Sequence, residues 1–165
     1  MNHSLNIKSD KFLELDQELI PNGQFLEVEN TPFDFRRERL IKTGGASDHP
    51  QNLLVGEGYD HPFLLNTNND QEIVLMDVES GRTLAVETDE VGFVVYSGNT
   101  LKEEGEFNGV PSRKYLDICL ETQGLPDADH HTHFPSVILD KRENYSSVTK
   151  YRFGVQGDKE DILEN

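Results

Sequence analysis

Basic residues, cysteine and long apolar runs are all scarce in this chain of 165 residues. The 15 Lys and Arg stand against 31 Asp and Glu, which gives a formal net charge of −16 at pH 7. Such a surface repels phosphate backbones and anionic lipid, so neither nucleic acid nor a membrane is expected as a partner. Small neutral ligands, sugars among them, are compatible with this charge.

Cys119 is the only cysteine, which excludes an intramolecular disulfide and fits a reducing compartment. It lies in the apolar run 115–120, where a buried and inert thiol is expected. No apolar stretch approaches the roughly 20 residues of a membrane-spanning helix. The first residues lack the basic and apolar regions of a signal peptide, so the expected location is cytoplasmic.

Short runs rich in β-branched and aromatic residues recur along the chain, and several alternate between polar and apolar side chains. A period of two predicts strands with one solvated face. The predicted strands are 12–15, 25–28, 62–65, 72–78, 83–88, 92–96, 115–120, 136–139 and 148–155. Many short strands separated by turns predict an all-β fold, an antiparallel β-sandwich or barrel.

Gly and Asn residues mark the predicted turns at 21–23, 80–82 and 97–99, because they tolerate the positive φ that tight turns need. Helical patterns are nearly absent, and only 37–42 is predicted to form a single helical turn. The polar, Gly-containing stretch 43–51 is interpreted as a surface loop.

A series of short motifs carries the strongest functional signal. Two of them are Gly58-Tyr59-Asp60-His61 and Leu120-Glu121-Thr122-Gln123. The others are at 19–23, 31–36, 80–84, 96–99, 126–128, 134–136 and 145–153. In this order, across almost the whole chain, they resemble the aldose 1-epimerase (galactose mutarotase) family, approximately its C-terminal half.

The resemblance implies a fold, namely the C-terminal portion of a galactose-mutarotase-like antiparallel supersandwich at 1–157. The remaining charged residues, 158–165, are expected to form a frayed tail. A half-sandwich leaves sheet edges unpaired. A missing N-terminal half, or self-association through these edges, is therefore expected.

The resemblance also implies roles for two carboxylates, with Glu121 as general base and Asp60 as a hydrogen-bond acceptor for sugar hydroxyls. From the residues alone, Glu121 follows an apolar strand, where partial desolvation raises the pKa of a carboxyl and makes it a usable base. The alternative for Glu121 is a solvent-exposed carboxylate, alone or paired with a cation.

Three neighbours complete the predicted substrate-binding set. Tyr59 stacks on a sugar face or packs at a loop corner. His61 shapes the pocket, orients Asp60 or packs. Gln123 lies two residues beyond Glu121 on the same strand face, where it donates to a sugar hydroxyl or satisfies a backbone group.

The family's general acid is a His in a motif of the type Thr-Asn-His-x-Tyr-Phe-Asn-Leu. Asn2-His3-Ser4 is similar at first sight, but the spacing from His3 to Gly23 follows a later segment of the family instead. The resemblance therefore implies that the acid lies upstream of Met1. His3 is interpreted as a strand-edge histidine.

The predicted function is aldose 1-epimerase chemistry on a free hexose such as glucose or galactose, with low activity for this chain alone. The alternative is a non-catalytic carbohydrate-binding or interaction protein. A sugar-phosphate epimerase would need a basic cluster, and the nearest one is at 36–39. No cofactor or metal is predicted, since His130, His131 and His133 are interpreted as a polar loop rather than a zinc site.

Overall fold

The computed structural model describes residues 2–66 and 72–156, so the predicted tail at 158–165 lies outside the described residues. The strands in this part are β1 His3–Ile7, β2 Lys11–Leu15, β3 Pro21–Glu27, β4 Arg39–Leu40, β5 Asp60–Leu64, β6 Ile73–Asp77, β7 Arg82–Thr88, β8 Gly92–Tyr96, β9 Glu106–Phe107, β10 Val110–Pro111, β11 Cys119–Gln123 and β12 Thr149–Val155. Two short helices, α1 Ile41–Gly45 and α2 Pro50–Leu54, and a 3-10 turn, Ala128–His130, accompany them. None of these helices has the length and apolar character that a membrane crossing requires.

The strands form two five-stranded sheets and one small hairpin. The first sheet has the order β12-β7-β6-β1-β4, the second has the order β11-β8-β5-β2-β3, and β9 pairs with β10. Every strand pair is antiparallel. The predicted all-β antiparallel architecture is therefore confirmed.

The core lies between the two large sheets. Alternate residues of β1, such as Leu5 and Ile7, point inward from the first sheet and are almost fully buried. Phe12, Phe63 and Phe93 do the same from the second sheet and belong to the same buried cluster. Burial of these apolar side chains is the main favourable contribution to folding, at about 25 cal/mol per Å².

Most predicted strands match the structure to within a few residues, but two do not. The strand predicted at 115–120 begins only at Cys119 and continues to Gln123. Tyr115 has φ 62°, a left-handed conformation that does not occur inside a regular strand. Residues 136–139 form no strand, and the apolar side chains of Val137, Ile138 and Leu139 are exposed.

The turn predicted at 21–23 lies inside β3, and the chain reverses at 16–20 instead. There the Asp16 carboxylate accepts hydrogen bonds from the backbone N–H groups of Glu18 and Ile20, at 2.8 and 3.1 Å. The helical turn predicted at 37–42 occurs later, as α1, and 43–51 also contains the start of α2. His49 caps α2 by accepting a hydrogen bond from Gln51 N–H at 3.2 Å.

Candidate functional site

The outer face of the second sheet brings three of the predicted site residues together. Glu121 on β11 lies opposite Val94 on β8, and Asp60 on β5 lies opposite Tyr96 on the same β8. Residues opposite each other, or two apart along a strand, share a face of the sheet. Glu121, Gln123 and Asp60 therefore lie on one face, with β8 between the two carboxylates.

A shallow cleft of about 190 Å³ opens on this face. Its lining consists of Leu15, Leu19, Pro21, Asp60, Pro62, Val94, Gln123 and Pro126. Glu121 lies outside the cleft and is exposed, since β11 is the outermost strand of its sheet. The expected partial desolvation of Glu121 is thus not found in this structure.

Asp60 is the more perturbed of the two carboxyls. Its side chain is partly buried, and this burial raises its pKa above the ordinary value. The negative charge of Glu121 is a second cause in the same direction. The two carboxyls therefore interact electrostatically across β8, and Asp60 holds a proton to higher pH than a free aspartate does.

Tyr59 and His61 lie on the other side of the sheet from Asp60. Both are fully buried in the core, as the alternation of side chains along β5 requires. The Tyr59 ring packs edge-on against Phe33, its hydroxyl donates to the Pro32 carbonyl at 2.8 Å, and burial raises the pKa of the phenol. These buried positions exclude the predicted stacking of Tyr59 on a sugar. They also exclude direct contact between His61 and a substrate on the outer face.

His61 belongs instead to a buried hydrogen-bonded link between β2 and β5. The Gln51 amide makes two bonds to the backbone of Leu15, accepting at 2.9 Å and donating at 3.0 Å. His61 Nε2 lies 3.1 Å from Gln51 Oε1, and His61 Nδ1 accepts the backbone N–H of Asp60 at 3.2 Å. Because Leu15 and Asp60 both line the cleft, this link fixes one wall of the cleft relative to the other.

The chain before Asp60 is held by a second polar cluster. Tyr59 N–H donates to Ser97 Oγ at 2.9 Å, and the Ser97 hydroxyl donates to Asn99 Oδ1 at 2.8 Å. Gly58 packs so closely that a Cβ there would lie 2.5 Å from Ser97 Oγ and 2.7 Å from Asn99 Cβ. A glycine is therefore required at 58. The hydrogen bonds of Tyr59 and Ser97 fix the backbone before Asp60, and so fix the position of Asp60 on the outer face of the second sheet.

The histidines of the 127–133 segment fasten that loop to β3. His131 Nε2 donates to the Pro21 carbonyl at 3.1 Å, and His133 Nε2 donates to the Gly23 carbonyl at 2.9 Å. These two side chains therefore hold the loop against the backbone of β3.

One potential ligand cluster lies in the same segment. The ligand atoms of Asp127, Asp129 and His130 lie within 4.8 Å of one another. Asp129 and His130 are exposed, and exposed acidic clusters of this kind are common without a metal. We assign no metal to them.

The other three histidines of the sequence, His3, His49 and His61, are the remaining side chains to consider as an acid facing Glu121. His3 lies on β1 of the first sheet. His49 caps α2 and packs edge-on against Phe33 in the core, and His61 is buried as described above. None of the three lies on the face that carries Asp60 and Glu121.

Sequence reasoning missed Gln51 and Asn52, which are buried polar residues of α2. Asn52 donates to the Gly58 carbonyl at 2.6 Å, so a side chain of α2 holds the backbone just before Asp60. The stretch Asp48-His49-Pro50 contains the signal for this helix, since a capping side chain followed by Pro at the first helical position is typical of a helix N-terminus.

Comparison with known proteins identifies the family of the chain. The family model for aldose 1-epimerase matches residues 1–152. Galactose mutarotase from Bos taurus is 36% identical over 159 residues, which cover 93% of this chain and 44% of that protein. Aldose 1-epimerase from Escherichia coli (strain K12) is 36% identical over 163 residues, which cover 92% of this chain and 45% of that protein.

Two solved structures share the fold. The aldose epimerase homologue from C. elegans superposes with a TM-score of 0.82 at 23% identity, over 93% of this chain and 46% of that chain. Galactose 1-epimerase from Lactobacillus acidophilus NCFM gives a TM-score of 0.76 at 27% identity, over 93% and 44% respectively.

The fold and the family model together define the class: the chain belongs to the aldose 1-epimerase family. It spans a little under half the length of the curated relatives it matches.

Proposed function

We propose that the outer face of the second sheet is part of a site for the anomerisation of a free aldohexose, with Glu121 as general base. One observation carries the proposal: in a member of this family, the β11-β8-β5 register places Glu121, Gln123 and Asp60 on a common open face. Asp60 and Gln123 line the cleft and would bind sugar hydroxyls there.

The proposed reaction begins when the Glu121 carboxylate takes the proton of the C1 hydroxyl. The C1 oxygen forms a carbonyl, the bond from C1 to the ring oxygen breaks, and the ring oxygen takes up a proton. Rotation about C1–C2 turns the other face of the aldehyde to the C5 hydroxyl. The steps then run in reverse, so that Glu121 returns its proton to the C1 oxygen and the ring closes as the other anomer.

Protonation of the ring oxygen is expected to be the slow step for this chain on its own. A positioned acid or base typically contributes about 10²–10⁴-fold to a rate. His3, His49 and His61 all lie away from the face, and His131 and His133 donate from Nε2 to the backbone carbonyls of Pro21 and Gly23. We therefore propose that the ring oxygen receives its proton from water or from another polypeptide. We therefore propose a slow enzyme whose rate depends on the base.

The first test is the rate of mutarotation of fresh α-glucose or α-galactose, followed by polarimetry. The parent chain is expected to exceed the buffer rate, and Glu121→Gln is expected to return to it because the amide cannot accept the proton. Glu106→Gln is the matched control, since Glu106 is an exposed glutamate on β9 in the separate hairpin. That variant is expected to retain the parent rate.

An accelerated rate that survives Glu121→Gln would show that Glu121 is not the base. A folded parent chain with no rate above buffer would leave the alternative of carbohydrate binding without turnover, which the positions of the three histidines favour. Ligand-observed NMR with glucose or galactose then decides, because binding lost in Asp60→Ala and retained in Glu106→Gln supports a binding site on this face. A chain that neither binds nor converts sugar contradicts both proposals.

A sugar phosphate fits this site less well than a free sugar. The Arg36 guanidinium is already paired with Asp34 at 2.8 Å and with Asp10 at 3.3 Å. These carboxylates pair with one arginine of the basic cluster at 36–39, and no residue of that cluster lines the cleft beside Asp60. We therefore propose an uncharged hexose as the ligand.

A further inference from the structure

Strands β2 and β5 separate at the cleft. In the described part of the chain their pairing ends with Phe12 opposite Phe63. Pro62, the next residue of β5 toward the cleft, has no N–H to contribute to a ladder. Continuing the antiparallel register would place Leu15 opposite Asp60. Both of these residues line the cleft, so the gap between the two strands lies in its wall.

The backbone groups of Asp60 and Leu15 that would pair in a regular ladder point into this gap. The preceding residue, Tyr59, bonds to the β8 side, because its carbonyl accepts the Ser97 N–H at 3.0 Å. Bonding directions alternate along a strand, so the Asp60 N–H points toward β2. The N–H and C=O of Leu15 both bond to the Gln51 side chain instead of a strand.

Two side chains fill the gap. The Gln51 amide bonds to both backbone groups of Leu15, at 2.9 and 3.0 Å, and His61 Nδ1 accepts the Asp60 N–H at 3.2 Å. His61 Nε2 and Gln51 Oε1 lie 3.1 Å apart and join the two halves. Gln51 is 7% exposed and His61 is fully buried, so breaking one of these bonds leaves a buried polar group unpaired, which is costly. The link thus takes the place of ladder hydrogen bonds between β2 and β5.

The partners at its two ends assign one tautomer to His61. The Leu15 N–H requires an oxygen and the Leu15 carbonyl requires an N–H, so the orientation of the Gln51 amide is fixed. The atom that faces His61 Nε2 is therefore an acceptor, and Nε2 carries the proton. The Asp60 N–H is a donor, so Nδ1 is unprotonated. Burial also lowers the pKa of this ring to about 3, which keeps it neutral near neutral pH.

We propose that Gln51 is a positioning residue for Asp60. It occupies the place where Leu15 and Asp60 would otherwise pair, and so keeps the two strands apart at the cleft. By accepting the Nε2 proton of His61, it keeps Nδ1 free to hold the Asp60 backbone. The effect on a sugar rests on the proposed function, in which the Asp60 carboxylate binds hydroxyls, whereas the link itself can be tested without a sugar.

The first test needs no substitution. Long-range ¹H–¹⁵N NMR distinguishes the protonated nitrogen of a histidine ring from the unprotonated one. In the parent chain near neutral pH, His61 is expected to be the Nε2–H tautomer alone. An Nδ1–H tautomer, a mixture of the two or an imidazolium would overturn the proposal, because none of these keeps Nδ1 as the acceptor for Asp60.

The second test is amide hydrogen exchange in Gln51→Met, which keeps the length of the side chain but removes its amide. The Asp60 amide is expected to accelerate at least about tenfold beyond any change at the core amide of Phe93, although Gln51 bonds to Asp60 only through another residue. Gln24→Met is the matched control, since Gln24 is an exposed glutamine on β3. Val86→Ala, at a buried position of the first sheet, controls for lost stability. In both controls Asp60 is expected to accelerate no more than Phe93.

The third test is the Kd of glucose or galactose, measured by ligand-observed NMR. Gln51→Met is expected to raise it about tenfold, the effect of weakening one hydrogen bond to a charged group. The mutarotation rate at saturating sugar is expected to stay unchanged, because the link does not contact Glu121. Gln24→Met is expected to retain the parent Kd. An unchanged Kd in Gln51→Met, or a loss confined to the saturating rate, would contradict a positioning role for Asp60.

These measurements separate a failure of this proposal from a failure of the proposed function. A parent chain that binds no sugar would refute the binding site, and the His61 tautomer and the Asp60 exchange rate would then decide the role of Gln51. Far-UV circular dichroism shows whether Gln51→Met is folded. A folded variant with unchanged Asp60 exchange overturns the proposal, and if the variant does not fold, the tautomer in the parent chain decides.

Discussion

Replacing Phe33 by alanine is expected to lower the free energy of unfolding by about 3–5 kcal/mol. Phe33 is fully buried although it lies between strands, in the segment that follows β3. Its ring stacks on Phe12 with centroids 4.0 Å apart, and it meets the edges of His61 at 4.7 Å and Tyr59 at 5.4 Å. Deleting it leaves a cavity between elements that the rigid sheets cannot close.

The measurement is equilibrium urea unfolding, with Phe107→Ala as the control. Phe107 is also a phenylalanine, but it is half exposed on β9, so its loss should change stability by no more than about 0.5 kcal/mol. Similar losses for the two variants would show that Phe33 does not hold the core together.

Acid is expected to destabilise the protein through His61. Burial lowers the pKa of His61 to about 3, with the nearby His49 as a second cause, whereas an unfolded histidine titrates near 6.5. Between these values the unfolded chain binds a proton that the folded chain refuses. The contribution of His61 to the free energy of unfolding is thus fully present above pH 6.5. It falls by roughly 1.4 kcal/mol for each pH unit below that value, down to about pH 3.

The free energy of unfolding of the parent and of His61→Gln should therefore be measured from about pH 7 to about pH 4. The variant is expected to show a flatter profile, because glutamine does not titrate. His49, whose pKa burial also lowers, and Asp60, whose raised pKa acts in the opposite direction, are present in both proteins. Parallel profiles would refute the role of His61, as would an NMR titration of its ring in the folded parent near pH 6.5.

Period-two patterning was sufficient for most of the sheet. The strand predicted at 83–88 is β7, Arg82–Thr88, and the one predicted at 92–96 is β8. The alternation pattern gave wrong predictions where tertiary contacts determine the backbone conformation. Tyr115 adopts a positive φ while its hydroxyl donates to the Glu57 carbonyl, and α2 depends on Gln51, whose amide bonds to Leu15 far away in the sequence.

The sequence predicts which site residues share a face of the sheet, but it does not predict which face is buried. The same alternation that groups Glu121 with Gln123 separates Asp60 from Tyr59 and His61, so the direct substrate contacts predicted for those two conflict with the period of the strand. Which face is covered depends on the packing of Phe33 and Phe12 from other segments. That information is not local to the motif.

Cys119 provides a chemical probe of the outer face of the second sheet. It lies opposite Tyr96 in the row that contains Asp60. Its thiol is half-buried rather than fully buried as the sequence predicts, because β11 is an edge strand, and its pKa is raised by burial and by the neighbouring acidic groups. The sequence holds no second thiol, so thiol alkylation of the native chain occurs only at this position. The rate of that single reaction thus reports whether the sheet face around Asp60 is open to solvent or occupied, without any introduced label.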